Sequence, residues 1–183
     1  MIVSGSYVYF ASCHALDGYD LGVVKIGLSH EPGKRLGSVR MNTPFRLRFV
    51  CSAPGDMFYE FFVHMWLRAT RVTGEYFAKS DELTRIVDHV KTTGRLPFPI
   101  KEVPGDVQFK LLRPLDFMQR HRISFRDLEK EAGVTTQSYR RLLERAPEGN
   151  RRFLAALAVT AVRRGLSIEW PRDFIPSPDR LAS

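Results

Sequence analysis

The sequence predicts an α/β (α+β) chain: a small mixed or antiparallel three-stranded sheet flanked by helices over residues 1–92, then a small all-helical domain over residues 110–173. Three observations carry this. In the first half, short runs of aromatic and β-branched residues alternate with segments of helical periodicity. Between residues 93 and 109, Pro97, Pro99 and Pro104 with Gly94 and Gly105 permit neither a helix nor a central strand, so this stretch reads as a linker. Beyond it nearly every segment has helical spacing, until a proline-containing tail at residues 174–183.

Residues 6–11 (SYVYFA) and 22–28 (GVVKIGL) are strand-like, and Asp17-Gly18 between them is a turn signal, so the pair reads as an antiparallel hairpin with a long loop. Ser29 and Glu31-Pro32 suit the start of a helix that runs to about Arg40, and Thr43-Pro44 ends it. Residues 46–53 (RLRFVCSA) alternate basic and apolar before becoming apolar, as a strand with one basic edge would. Asp56 can cap a helix with Phe58, Phe61, Phe62, Met65 and Trp66 on its apolar side, while Glu60 and His64 share another stripe. Gly74-Glu75-Tyr76-Phe77 allows a turn and an edge strand, and Ser80 caps a helix through about Lys91. Past the linker, helices are expected over residues 114–122, 125–132, 135–144 and 150–164, the last with Leu154, Leu157, Ala158, Ala161 and Val162 on one stripe.

A chain of 183 residues accommodates two such domains, and 44% hydrophobic with 26% charged residues excludes both a disordered tail and a membrane protein. The net charge of +8 favours polyanionic partners, nucleic acid before membrane. Residues 1–100 hold 12 Lys and Arg against 9 Asp and Glu, and residues 101–183 hold 16 against 11, so both halves are basic. Cys13 and Cys51 lack CxxC spacing, which points to two core thiols rather than a zinc site or a disulfide framework. No apolar run approaches the roughly 18 residues of a membrane span, and a cytoplasmic protein without membrane partners is expected.

Five short motifs in the first half have a common context: Tyr7-Val8-Tyr9, Lys25-Ile26-Gly27, Arg35 in the first helix, Glu60-x-x-x-His64 in the second, and Gly74-Glu75-Tyr76-Phe77. In this order and in these elements they resemble the GIY-YIG endonuclease superfamily, within it the branch named for a bacteriophage T5 open reading frame. Lys25 stands where the name-giving tyrosine usually sits, and the resemblance covers about half the chain. It implies hydrolysis of DNA phosphodiesters, a reaction that needs a base for water, a cation for the phosphate and a metal for the leaving oxygen. Tyr9 and Lys25 are expected to face each other across the hairpin, the ammonium lowering the phenol's pKa so that Tyr9 serves as base. Arg35 would hold the scissile phosphate. Glu60 would be the one carboxylate on a single Mg²⁺ or Mn²⁺, with water completing the shell. Tyr7, His64 and Glu75 are secondary candidates. Plain structural roles stand beside these: Tyr9 as core, Lys25 as an edge lysine, Arg35 as an exposed helix residue, Glu60 with His64 as an i, i+4 pair worth about 0.2–0.5 kcal/mol, and Glu75 as a structural hydrogen-bond partner.

Residues 125–143 resemble a helix-turn-helix: Leu128 and Ala132 on one helix, Gly133 at the turn, and Val134, Tyr139 and Leu142 packing the next. The glycine suits a left-handed helix end. The second helix would then present Thr135, Thr136, Gln137, Ser138, Arg140 and Arg141 to base edges and phosphates; a solvated helical hairpin is the plain alternative. The expected function is a metal-dependent DNA endonuclease with a DNA-reading module, or, in another class, a non-catalytic DNA-binding protein or phage-type regulator on the same scaffold. Cutting both strands would call for a homodimer. Replacing Arg140 and Arg141 together by Ala is expected to weaken DNA binding and lower its salt slope by about two, read by gel shift across a salt series with circular dichroism unchanged.

Overall fold

A computed structural model of the chain describes residues 5–40, 43–103, 114–135, 137, 151–166 and 168–171. It is mixed α/β and divides into two compact units, Met1–Pro97 and Phe98–Ser183. Among the described residues no helix is long and apolar enough to cross a membrane.

The first unit is built on strands β1 (Tyr7–His14), β2 (Asp20–Ser29), β3 (Arg46–Pro54), β4 (Arg71–Thr73) and β5 (Tyr76–Ala78). They form one antiparallel sheet in the order β3-β1-β2-β5-β4. The sheet has five strands where three were expected in its body. Strand β5 falls where a turn and an edge strand were expected at residues 74–77. The unforeseen strand is β4, exposed and three residues long, which takes the edge beyond β5 through a turn closed by Gly74 at φ 49. Helices α1 (Pro32–Arg40), α2 (Met57–Trp66) and α3 (Asp81–Thr93) complete the unit.

Alternation along β1 sorts its side chains to two faces. Tyr9, Ala11 and Cys13 pack with Leu36 of α1 and Leu47 of β3, bordered by Val23, Val39, Phe45 and Tyr76. On the opposite face Phe10 pairs with Cys51, whose thiol reaches the Val87 carbonyl of α3. Both cysteines are buried and free, and burial pushes each thiol up to about 11. In α2 the buried residues are Phe58, Phe62, Val63, His64 and Met65, so His64 belongs to the core side, while Phe61 is only half-buried. Asp56 caps α2 by accepting from the Phe58 and Tyr59 amides, and Ser80 caps α3 through the Leu83 amide.

The second unit contains α4 (Pro114–Arg120), α5 (Phe125–Ala132) and α6 (Arg151–Arg163). Ser124 and Asp127 form a capping box at the start of α5, and Gly133 ends it at φ 70, the left-handed conformation read from the sequence. Burial on α6 is wider than one stripe: Phe153, Leu154, Ala155, Ala156, Leu157, Ala158, Val159, Thr160 and Ala161 are all buried. The small residues let neighbouring elements approach from several sides, and the Thr160 hydroxyl is satisfied by the Ala156 carbonyl. The unit is not all-helical. Strand β6 (Ile100–Val103), inside the stretch expected to be linker, pairs in parallel with β7 (Ile168–Pro171). Prolines flank β6 without interrupting it, and a two-stranded ribbon leaves one edge of each strand free of ladder bonds. The expected helix at residues 135–144 and the tail at 174–183 fall almost wholly outside the described residues.

Because α2 carries two candidate residues, its cap has a measurable consequence. Asp56→Ala is expected to lower stability by about 1 kcal/mol in urea denaturation, by leaving the first-turn amides without their acceptor.

Candidate functional site

The centre of the candidate site is a close approach between β1 and β2. Tyr9 and Gly27 are cross-strand partners, so their side-chain positions share a face. The Tyr9 ring occupies the space a side chain at 27 would take, since a Cβ there would lie 2.8 Å from both its Cζ and its hydroxyl. Glycine is thus required for packing. Tyr7 lies two residues up the same face, paired with Ser29. Ser29, His30, Glu31, Lys34, Arg35 and Ser38 line an open depression of about 310 Å³ at the start of α1. Arg35 is exposed on that rim, and among the described residues no side-chain partner holds its guanidinium, whereas neighbouring Lys34 is paired with Glu31 at 2.7 Å.

Lys25 does not sit opposite Tyr9 as expected. Its cross-strand partner is Ala11, and its ammonium forms an ion pair with Glu75 and lies 5.3 Å from the centre of the Tyr76 ring. Its side chain is 7% exposed against 49% for Glu75, so the carboxylate is on the solvent side. The expected depression of the Tyr9 phenol is reversed. It is pushed up to about 12, first by burial and then by the negative charge of Glu75, with Glu60 adding to the rise and Arg35 opposing it. At neutral pH Tyr9 is a phenol.

The outer edge of β2 explains where Glu60 and His64 go. Strand β5 pairs with β2 only at Val23, Val24 and Lys25. Beyond that, the Ile26 amide donates to the Glu75 carbonyl at 2.9 Å, and His64 Nε2 donates to the Ile26 carbonyl at 3.1 Å. The Leu28 amide donates to the Glu60 carboxylate. One turn of α2 thus supplies an acceptor and a donor at the spacing a neighbouring strand would have used. Glu60 and His64 each bond to β2 rather than forming the pair that their i, i+4 spacing suggests. Burial holds the His64 imidazole down to about 4, and its ring lies 5.1 Å from that of Phe77, so it is a neutral core residue. The Glu60 carboxyl is raised by burial first and by Glu75 second, against the lowering effects of Lys25 and the Leu28 amide.

Arg35, Glu60 and Glu75 are therefore each close enough to act on Tyr9, Glu75 acts on Glu60 as well, and Lys25 is coupled to Glu60 and paired with Glu75. Comparison with family models, characterised proteins and solved structures gave no match. The chemistry of the site is accordingly read from its own residues. Among the described residues no three His, Cys, Asp or Glu side chains cluster as a cage for a metal ion. What the site offers a cation is one half-buried carboxylate, Glu60, in a local excess of negative charge from Glu75. That set suits a hard divalent ion that keeps most of its water, and does not suit zinc, which draws several nitrogen or sulfur ligands.

Of the candidates for DNA contact, Thr135 and Gln137 are exposed, and Thr136, Ser138, Arg140 and Arg141 lie outside the described residues. Two features escape sequence reasoning: the clamp of Glu75 and Tyr76 on Lys25, and the α2 side chains finishing the β2 edge. Neither has a periodic signature. A glycine in a strand, as at 27, was the one available sign of a close approach.

The neutral state of His64 sets a pH dependence. Above pH 6.5 neither folded nor unfolded chain protonates it. As pH falls from 6.5 to about 4 only the unfolded chain does, so folding loses stability on the order of 3 kcal/mol across that window. Urea midpoints at pH 7 and pH 4.5 are expected to converge in His64→Gln, which keeps a donor for the Ile26 carbonyl and has no such titration.

Proposed function

We propose that the first unit is a GIY-YIG-type, metal-dependent DNA endonuclease, with the second unit contributing DNA affinity through a helix-turn-helix. The observation that carries this reading is the shared electrostatics of Tyr9, Arg35 and Glu60 around Gly27, beside an open depression whose rim presents the Arg35 guanidinium. A phosphodiester needs a cation at its oxygens, and Arg35 is an exposed cation on that rim. Glu60 would hold Mg²⁺ or Mn²⁺, which when bound supplies charge stabilisation at the leaving oxygen. The Leu28 amide lies beside the Glu60 carboxyl and favours its ionised form.

Tyr9 works from its protonated state. Tyr9 is 1% exposed, so its hydroxyl, packed on Gly27, would meet a phosphate oxygen or a water only on binding, and Arg35 pulls it toward phenolate while Glu75 and Glu60 push against. The ion pair that occupies Lys25 favours a second reading, a non-catalytic DNA-binding protein or phage-type regulator in which this pair is purely structural. Cleavage of both strands would take two copies of the chain.

Incubation of supercoiled plasmid with Mg²⁺ or Mn²⁺ is expected to give nicked circles, abolished by EDTA. Glu60→Gln and Arg35→Ala should each lower the rate about a hundredfold or more while gel-shift binding persists. Binding by the wild-type chain with no metal-dependent nicking would establish the second reading instead.

A further inference from the structure

The Lys25–Glu75 pair joins a buried cation to a half-exposed anion at the border of the candidate site. The backbone of Glu75 is fixed, because its carbonyl accepts from the Ile26 amide at 2.9 Å and the preceding Gly74 closes the β4–β5 turn at φ 49. Lys25 is equally fixed, by its place in the middle of β2 and by the Tyr76 ring, itself set edge-on against Phe45 at 5.6 Å. Only the Glu75 side chain is placed to leave, and it can do so by rotating toward solvent with no change in the chain.

We propose that the Glu75 carboxylate is a resident placeholder anion, which a phosphodiester oxygen of the nucleic acid displaces from the Lys25 ammonium, making Lys25 a second phosphate-binding cation alongside Arg35. This rests on the nuclease reading of the site. Exchange of one anion for another leaves the buried lysine compensated throughout, which simple opening of the pair would not. The incoming phosphodiester carries one negative charge, as the carboxylate does, so the exchange keeps the charge balance that Glu75 sets around Glu60 and Tyr9. In the resting chain the same carboxylate keeps the lysine from recruiting other anions.

The test is a double-mutant cycle on the full chain, without metal: wild type, Glu75→Gln, Lys25→Met and the double variant, each titrated with a fluorescent DNA duplex over a salt series. Glu75→Gln is expected to tighten binding about tenfold and to steepen the salt slope by about one, and both gains should vanish when Lys25 is Met. Should Glu75→Gln be too unstable by circular dichroism, Glu75→Asp, with its charge kept and its reach shortened, is expected to give a smaller gain in the same direction. If the gain survives in the Lys25→Met background, or if wild type nicks plasmid and neither Glu75 variant binds more tightly, the placeholder is overturned and the nuclease reading stands. If wild type neither binds duplex DNA nor nicks plasmid, both fall.

Discussion

The outer backbone edge of β2 is the constraint on which the candidate site depends. Past Lys25 the strand leaves β5 behind, yet Ile26 and Leu28 still direct amide and carbonyl groups outward. Buried backbone groups without partners are costly, and here His64, Glu60 and the Glu75 carbonyl supply them. Meeting that demand ties α2 to the edge of β2 through His64 and leaves the Glu60 carboxyl close enough to act on Tyr9. It also draws the 74–75 turn inward, which puts the Glu75 side chain within reach of Lys25.

Two cations and two carboxylates with a phenol between them make a site whose protonation states are settled by proximity. Arg35 is exposed and uncommitted, Lys25 is buried and committed, and the consequences fall on Tyr9. Its neutrality follows from burial over Gly27 and from the carboxylates outweighing Arg35. Burial first and the Glu75 charge second raise the pKa of Glu60, so the anion that would attract a metal ion is also the group made uncomfortable by its surroundings. A cation at Glu60 would ease that repulsion.

Much of the first unit is legible in the sequence. The β1–β2 hairpin, the α2 cap at Asp56 and the α3 cap at Ser80 follow from residue types whose preferences are local. Strand β5 was legible as a turn and short strand at residues 74–77, but β4 and the β6–β7 ribbon were not, because strands of three and four residues are too short for a period and are decided by what lies beside them. The Glu60 and His64 spacing pointed to a shared helical stripe but not to its use, since a strand edge left without a neighbour is a property of the sheet.

Residue types and their local preferences place each candidate side chain in its element: a tyrosine in β1, a lysine and a glycine in β2, an arginine in α1 and a glutamate in α2. Local preferences act over a few residues, and that is as far as they reach. Only the tertiary structure decided the register that sets Tyr9 over Gly27 instead of Lys25, the pairing of Lys25 with a turn 50 residues away, and the burial of His64. Register and burial arise from the whole sheet satisfying its hydrogen bonds and apolar faces at once, and so the charge state of each candidate residue is a property of the fold.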